Sequence, residues 1–216
     1  MIARFFFVAA IAALAACSPE PAETPADQTP DYDAEARRIA QSSIIVDTHI
    51  DVPYRLLARP ADVSRATDSG DFDYPRAVAG GLNAPFMSIY TPAELEATGQ
   101  STAAAEQLID IVEQLAADHP DKFAVATSVA DVRRQFAAGL VSLPMGMENG
   151  SPIDGNIDNV RHFYDRGIRY LSLSHGSNNH LSDSSYDETT RWDGISDFGA
   201  EVIREMNRLG IMIDVA

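Results

Sequence analysis

The 216-residue sequence predicts an α/β protein in which helices pack against a parallel sheet. Two observations lead to this prediction. Short apolar runs rich in branched side chains alternate along the chain with segments whose apolar residues recur at helical spacing. The apolar runs show little polar alternation, which is typical of strands covered on both faces of a parallel sheet. A doubly wound sheet and a (β/α)8 barrel both satisfy this pattern.

Five segments are predicted strands of this sheet. The first begins with Ile44, Ile45 and Val46, continues through residues 47–51, and is followed by Pro53, which stops regular structure. We expect this strand to be buried on both faces. The other predicted strands cover residues 82–90, 140–147, 169–174 and 211–215, and residues 123–126 form a further short apolar piece.

Helices are predicted in the intervals between the strands. Three of them begin at serine caps, Ser101, Ser128 and Ser196, and Asp131 follows the second serine at the spacing of a capping box. Glycine or proline marks the helix ends. The helices so bounded cover about residues 34–42, 101–118, 128–139, 157–166 and 196–209, whereas the polar segment 58–76 is predicted to be a loop.

The first 16 residues have the pattern of a targeting segment. Arg4 precedes an apolar run at 5–14, which is shorter than the roughly 20 residues that span a bilayer. The run leads into Cys17 through a stretch that resembles a bacterial lipobox, and this resemblance implies cleavage before Cys17 and acylation of that cysteine. Ser18 resembles an outer-membrane sorting signal. The expected location is the bacterial cell envelope, at the outer membrane facing the periplasm.

Composition separates a tether from a globular domain. Residues 17–36 are rich in proline and acidic residues, so we expect a solvated tether there, followed by a folded body at 37–216. The formal net charge of −16 argues against a nucleic-acid partner, which needs a basic face. The single cysteine excludes an internal disulfide.

Polar side chains follow the carboxyl ends of three predicted strands. His49 and Asp51 end the first, Glu148 follows the third and His175 follows the fourth. Alternate strand residues share a face, so His49 and Asp51 should point the same way. An imidazole beside a carboxylate suits a divalent metal, zinc above all, although this pair alone is equally typical of a solvated strand end. Barrels place active sites on this rim, which favours a (β/α)8 TIM-type barrel truncated after about the fifth strand.

Five stretches of the sequence resemble the membrane dipeptidases, the renal dipeptidase-like zinc metallopeptidases. They are DTHIDVPYRLL at 47–57, GGLNAPFMSIY at 80–90, MGMENG at 145–150, GIRYLSLSHGSNNHLSDSS at 167–185 and GISDFGAEVIREMNRLGIMIDVA at 194–216. They follow the order of the family and span nearly the whole body. The resemblance implies a barrel with two zinc ions that hydrolyses dipeptides, sometimes with a D-residue on the C-terminal side.

The resemblance also implies roles for four residues. His49 and Asp51 match the ligands of the first zinc, Glu148 matches the carboxylate that bridges both ions, and His175 matches the histidine that contacts the substrate and the oxyanion. Two zinc ions joined by a carboxylate lower the pKa of a shared water, so that hydroxide forms near neutral pH and attacks the peptide carbonyl. An imidazole donor stabilises the developing negative charge.

Other polar and aromatic residues lie near the expected rim. Tyr90 ends the second strand and His180 lies in the loop after the fourth, and both are candidates for the substrate pocket. His119 and His162 are predicted to face solvent. Trp192 is predicted to anchor packing, with a role as a substrate platform as the alternative.

Two departures from the family pattern bear on this interpretation. Asn149 stands where the family commonly has a second glycine after the bridging glutamate. The family continues past its IDVA-like strand with two histidines for the second zinc, a substrate-binding arginine and a proton-transferring aspartate, and these positions lie beyond Ala216. We therefore expect at most one well-ligated zinc in this chain, and its activity by itself stays open.

The alternatives are another binuclear amide hydrolase on the same barrel, acting on an acylated amino acid or a lactone, and a non-catalytic lipid-anchored scaffold. The expected partners are a dipeptide substrate and, through the lipid anchor, a membrane. A homodimer is compatible with the sequence.

Overall fold

The computed structural model describes residues 30–215, and residues 33–215 belong to one compact unit. The expected signal segment, Cys17 and the expected tether up to residue 29 lie outside the described residues. Helix α1 begins at Tyr32, so the last five residues of the range assigned to the tether are helical instead of extended. Within residues 30–215, no helix has both the length and the hydropathy that crossing a bilayer requires.

Seven strands form two parallel sheets in this part of the chain. They are β1 (Ile45–Ile50), β2 (Leu82–Tyr90), β3 (Phe123–Val125), β4 (Val141–Leu143), β5 (Met145–Glu148), β6 (Ile168–Ser172) and β7 (Met212–Asp214). The main sheet has the order β1-β2-β5-β6-β7, and β3 pairs with β4 in a small second sheet. The main sheet follows chain order from one edge to the other. That order is typical of a barrel, whereas a doubly wound sheet reverses direction at a switch point.

The third predicted strand is wrong in one respect, because residues 140–147 form two strands in two different sheets. Pro144 separates β4 from β5, since proline has no N–H to continue a ladder. Its carbonyl accepts a hydrogen bond from the Met87 N–H (2.8 Å), which joins the break to β2. The main sheet nevertheless has the five strands that the sequence predicts.

Seven α-helices accompany the strands within the described range. They are α1 (Tyr32–Ser42), α2 (Val52–Ala58), α3 (Tyr74–Gly80), α4 (Ser101–Asp118), α5 (Val129–Ala137), α6 (Asp158–Asp165) and α7 (Asp197–Leu209), with short 3-10 helices at Ala93–Thr98 and Ser151–Ile153. Ser128 and Ser196 cap α5 and α7, as expected: their hydroxyls accept hydrogen bonds from the N–H groups of Asp131 and Gly199.

Three expectations about the helices are wrong. Pro53 does not stop regular structure, because it lies in the first turn of α2, where a missing N–H breaks no helical hydrogen bond. Gln100, not Ser101, is the cap residue of α4; Ser101 lies inside the helix, and its buried hydroxyl accepts a hydrogen bond from Ser151 Oγ. Part of the predicted loop 58–76 is the start of α3. The Asp73 side chain caps this helix by accepting a hydrogen bond from the Arg76 N–H. The prediction missed this cap because the whole segment is polar.

The core lies between the strands and the surrounding helices. Met87 and Ile89 of β2, Met145 and Met147 of β5 and the inward faces of α4, α6 and α7 are fully buried. The expectation that the first strand is buried on both faces is wrong. It forms an edge of the sheet, and the side chain of Val46 is 49% exposed.

The main sheet is curled. In a flat sheet, β6 and β1 lie three strand spacings apart, about 14 Å, and their side chains stand roughly parallel. In this sheet the hydroxyl of Tyr170 on β6 nevertheless lies 2.7 Å from the ring of His49 on β1. The side chains can converge in this way only because the strands curve around them. The curled parallel sheet matches part of a (β/α)8 barrel, which confirms the predicted fold class.

Candidate metal centre

An irregular register in β1 aims the His49 side chain inward. Asp47 pairs with Pro85 and Ile50 with Met87, so three steps along β1 match two along β2. One extra residue is thereby accommodated in β1, as in a β-bulge. The Asp47 carboxylate accepts a hydrogen bond from the His49 backbone N–H (3.0 Å). The N–H of His49 therefore has a partner within the irregular stretch.

The extra residue changes which side chains share a face. Val46 and His49 are three positions apart, so regular alternation would place them on opposite faces. Instead, Val46 and Phe86 line the same groove, while His49 and Phe86 both contact the ring of Tyr170. The bulge therefore brings His49 onto the inner face of the curled sheet.

Asp51 reaches the site from a helix terminus. It occupies the cap position of α2 rather than the strand, and its side chain makes no capping hydrogen bond. Its Oδ1 lies 3.5 Å from Nε2 of His49. The two side chains do point the same way, as the sequence predicts, but the turn after β1 is the cause and strand alternation is not.

His49, Asp51, Glu148 and His175 form one polar cluster, and Glu148 joins its two halves. It ends β5, its side chain is 14% exposed, and its two oxygens have different partners. Oε2 accepts a hydrogen bond from Ser88 Oγ (2.8 Å) and lies 3.0 Å from His49 Nε2. Oε1 lies 2.9 Å from Nε2 of His175. The carboxylate is thus shared between the His49 side and the His175 side of the site.

Aromatic rings support the His175 side. Tyr90, at the end of β2, meets the His175 imidazole edge to face at 5.1 Å, and Tyr54 of α2 meets Tyr90 in the same way at 5.0 Å. Burial raises the pKa of the Tyr90 hydroxyl, and the nearby Glu148 charge raises it further. Tyr90 therefore lies at the rim, where the sequence places it, as a neutral phenol.

The comparisons with known proteins identify the family. Residues 33–216 match the family model described as membrane dipeptidase, Peptidase family M19. The chain belongs to this family. The resemblance that the sequence motifs indicate is thereby confirmed.

Individual relatives agree with the membrane dipeptidase assignment. The dipeptidase aclJ of Aspergillus oryzae is 34% identical over 154 residues, which cover 68% of this chain and 36% of that protein. The probable dipeptidase PvdM from Pseudomonas aeruginosa has a similar fold, with a TM-score of 0.77 at 23% identity, over 84% of this chain and 48% of that one. A metallo peptidase from Rhodobacter sphaeroides, liganded with a phosphinate mimic of the dipeptide L-Ala-D-Ala, matches with a TM-score of 0.68 at 25% identity.

These matches cover only part of each relative. The Rhodobacter match spans 79% of this chain and 57% of that one. The chain spans between 36% and 51% of the length of the curated relatives with which it was compared.

A family of metallopeptidases implies a metal ion, and one group of side chains fits it. One donor atom from each of His49, Asp51 and Glu148 lies within 4.8 Å of the others. An imidazole nitrogen with two carboxylate oxygens is a ligand set that zinc accepts, and three protein ligands leave a position open for a reactant. Two carboxylates also balance the charge of a divalent ion. Among residues 30–215, this is the group of three or more such side chains that could hold a metal.

Asn149 takes the left-handed conformation that a glycine adopts easily. Its φ is +74°, and its side chain is buried. Its amide donates to the Thr91 carbonyl (2.8 Å), and its Oδ1 accepts from the Ser151 N–H and from Asn179 Nδ2 (3.0 Å). This departure from the membrane dipeptidase pattern therefore leaves the local backbone in a glycine-like conformation and adds three hydrogen bonds.

His180 does not join the cluster around Glu148. Its Nδ1 lies 3.3 Å from Glu96, and its ring packs against Phe198. Together with Trp192 it lines a cavity of about 590 Å³, whose lining contains none of the four cluster residues. The indole N–H of Trp192 donates to the Asn179 carbonyl, which agrees with the predicted packing role. Its alternative role as a substrate platform stays a prediction. His180 thus stays a candidate pocket residue of a separate cavity.

Of the remaining histidines, His162 is exposed, as expected, whereas His119 is partly buried. His119 follows the end of α4 and lies 3.7 Å from Asp62. His162 on α6 pairs with Glu106, and its side chain is exposed. Neither belongs to the candidate metal centre.

Three residues that contact the cluster were missed from the sequence: Asp47, Ser88 and Tyr170. Each contacts a candidate ligand through the hydrogen bonds given above. Ser88 shares a strand face with Tyr90, and a hydroxyl in an apolar strand was the available signal. Tyr170 gave a similar signal, but its partner lies on a distant strand, so the sequence could not identify it.

Proposed function

We propose that this protein acts as a zinc-dependent dipeptidase, with His49, Asp51 and Glu148 as metal ligands and His175 as the substrate-contacting residue. The observation that carries this proposal is the convergence of the three donor atoms at the carboxyl end of the curled sheet, in a member of the membrane dipeptidase family. The carboxyl end of the strands is where barrels build their active sites.

The donor set suits hydrolysis of an amide bond. Bound zinc supplies a Lewis acid, which polarises a peptide carbonyl and acidifies water. His175 provides a ring N–H that can donate to the carbonyl oxygen as negative charge develops there. Tyr90 packs against this imidazole and Tyr54 packs against Tyr90, which limits the rotation of the imidazole. Glu148 lies within 3.0 Å of both imidazoles, so the candidate hydrogen-bond donor and the candidate metal ligand lie side by side.

We extend the proposal to two zinc ions in the complete enzyme. The support is that the two oxygens of Glu148 face different side chains, so this carboxylate could serve as a ligand on both sides of the site. Dipeptides with a D-residue on the C-terminal side are the substrates to assay first, since the Rhodobacter relative was crystallised with a mimic of L-Ala-D-Ala.

Metal analysis combined with a hydrolysis assay of the full-length protein tests this proposal. We expect zinc to copurify, L-Ala-D-Ala to be hydrolysed, and a chelator to abolish turnover until zinc is restored. His49→Ala should lower the zinc content by roughly one ion per chain, because structural and catalytic zinc sites need three or four ligands. His162→Ala is the matched control, since this exposed histidine pairs with Glu106 away from the cluster.

Two results would contradict the proposal. One is a zinc content that His49→Ala leaves unchanged. The other is dipeptide hydrolysis that persists after complete removal of the metal.

We also propose that the protein is lipid-anchored through Cys17 in the bacterial envelope, on the sequence pattern alone. Cys17→Ala should prevent incorporation of radiolabelled fatty acid and release the protein from the membrane fraction. Fatty-acid labelling of the Cys17→Ala protein at the original level would contradict the anchor.

A further inference from the structure

The Tyr170 hydroxyl contacts a candidate metal ligand from the far side of the sheet. It lies 2.7 Å from Nδ1 of His49, the ring nitrogen opposite the one that faces Asp51 and Glu148. The two rings lie nearly parallel, at an interplanar angle of 25°. One nitrogen of His49 is therefore held by Tyr170, while the other is directed at the two carboxylates.

The strands between Tyr170 and His49 leave room for this contact. Gly146 on β5 pairs with Tyr170, and a Cβ on this glycine would come within 2.0 Å of the tyrosine ring. Only a residue without a side chain lets the ring lie across β5. Phe86 on β2 then packs against the ring at 5.4 Å. Tyr170 is 7% exposed, so packing fixes its orientation from both sides.

We propose that Tyr170 is a positioning residue for the metal centre, which orients the His49 ring and keeps its Nε2 free to bind the metal. This inference rests on the proposed metal site. A histidine ligand binds a metal through an unprotonated nitrogen, so the proton must reside on the other one. The Tyr170 oxygen is placed to accept the hydrogen bond from that Nδ1–H. Partners of this kind orient the ring and increase the basicity of the ligand.

Zinc affinity of Tyr170→Phe in the full-length protein is the first measurement. This variant keeps the ring and its packing and removes only the oxygen. Competition with a chromogenic chelator should show zinc binding weakened about 10- to 100-fold, the usual effect of losing such a partner. Tyr74→Phe is the matched control, because Tyr74 is a partly buried tyrosine that packs on Phe123. We expect the zinc affinity of this control to stay within twofold of the unmodified protein.

A spectroscopic measurement separates positioning from a general loss of structure. In the cobalt(II)-loaded protein, the Nδ1–H of a histidine ligand gives an exchangeable, strongly shifted proton signal. The His49 signal, assigned by its loss in His49→Ala, should be sharp in the unmodified protein and in Tyr74→Phe. In Tyr170→Phe it should broaden through exchange with water, because the proton loses its acceptor.

The outcomes distinguish this inference from the proposed function. If the unmodified protein binds no zinc, the proposed metal site is wrong and the inference falls with it. If the unmodified protein binds zinc and Tyr170→Phe binds it equally tightly, the metal site stands and the role of Tyr170 is wrong. An unbroadened His49 signal in Tyr170→Phe would likewise overturn the positioning role.

Discussion

The two ends of the curled sheet differ in polarity and in how many contacts their side chains make. At the carboxyl end, Glu148 contacts His49, His175 and Ser88, and each candidate ligand has a polar neighbour. At the amino end, an apolar groove of about 450 Å³ runs past Val46, and its lining includes the half-exposed Met212. One end holds polar groups in fixed relations, and the other leaves apolar groups in contact with water.

The difference shows that stability and site geometry depend on separate parts of the sheet. A half-exposed valine contributes little burial, so a change in the groove should cost little stability. The polar cluster is a network in which each residue fixes the next, so a single change should affect several partners. β1 contributes to both regions, with Val46 in the groove and His49 in the cluster. The bulge between them is the boundary, and four substitutions test this separation.

Glu148→Gln should have the largest effect. It removes the charge that faces both histidines and leaves an amide in place of a candidate ligand. We expect zinc affinity to fall more than about 100-fold, beyond the effect of losing a partner of a ligand. Glu201→Gln on the exposed face of α7 is the control, and chelator competition is the measurement. A change below about tenfold would exclude Glu148 as a ligand.

Asn149→Ala should destabilise the fold by about 2–4 kcal/mol, measured by denaturant unfolding. The cost has two causes. Alanine is strained in the left-handed backbone conformation, and the buried Thr91 carbonyl and Asn179 amide lose their hydrogen-bond partner. Asn149→Gly separates the two causes, since glycine accepts the backbone conformation and loses only the hydrogen bonds. It should therefore be the more stable of the two variants. An alanine variant as stable as the glycine variant would mean that backbone strain contributes nothing.

Asp47→Ala should weaken zinc binding about tenfold, which is the usual effect of removing a residue that holds a metal ligand in place. It removes the acceptor of the His49 N–H, so that the bulge is held less firmly. Asp47→Asn keeps an oxygen that can accept the same hydrogen bond, and we expect it to retain most of the affinity. Equal losses in Asp47→Ala and Asp47→Asn would point to the charge of Asp47 and against its hydrogen bond.

Val46→Thr should have the smallest effect. Threonine keeps the branched shape, and the side chain is 49% exposed, so stability should change by less than about 0.5 kcal/mol. Zinc affinity should stay within twofold, because the bulge separates this residue from the site. Unfolding and chelator competition on the same sample check both. A clear loss of zinc affinity would show that the groove and the cluster are coupled through β1.

Much of the fold was accessible from the sequence because its signals are local. Apolar runs, serine caps and glycine stops identified the five main strands and most helices. The cluster residues were found because parallel strands bring their carboxyl ends to one edge. The exposure of β1 was missed, since burial depends on neighbouring strands and the apolar run looks the same at an edge.

The missed features depend on pairing and curvature. The bulge at His49 is defined by how β1 pairs with β2, so no pattern within β1 alone predicts it. The contact between Tyr170 and His49 joins residues 121 positions apart and requires the sheet to curl. Pro144 was a local signal that the prediction underused. The predicted strand 140–147 included this proline, whereas the observed strand β4 ends before it.

The extra residue in β1 also has a consequence for how the family motif should be compared between proteins. A homologue that keeps the same number of residues between Val46 and His49, but pairs β1 with β2 in regular register, would keep the letters His-x-Asp and still turn the imidazole to the outside of the sheet. Two homologues could then match perfectly over the motif and differ in whether they hold a metal. The register of β1 against β2 therefore carries information that the letters of the motif lack. A chain that lacks both the bulge and one residue at this point would still direct its histidine to the inner face, because residues two positions apart in a regular strand share a face.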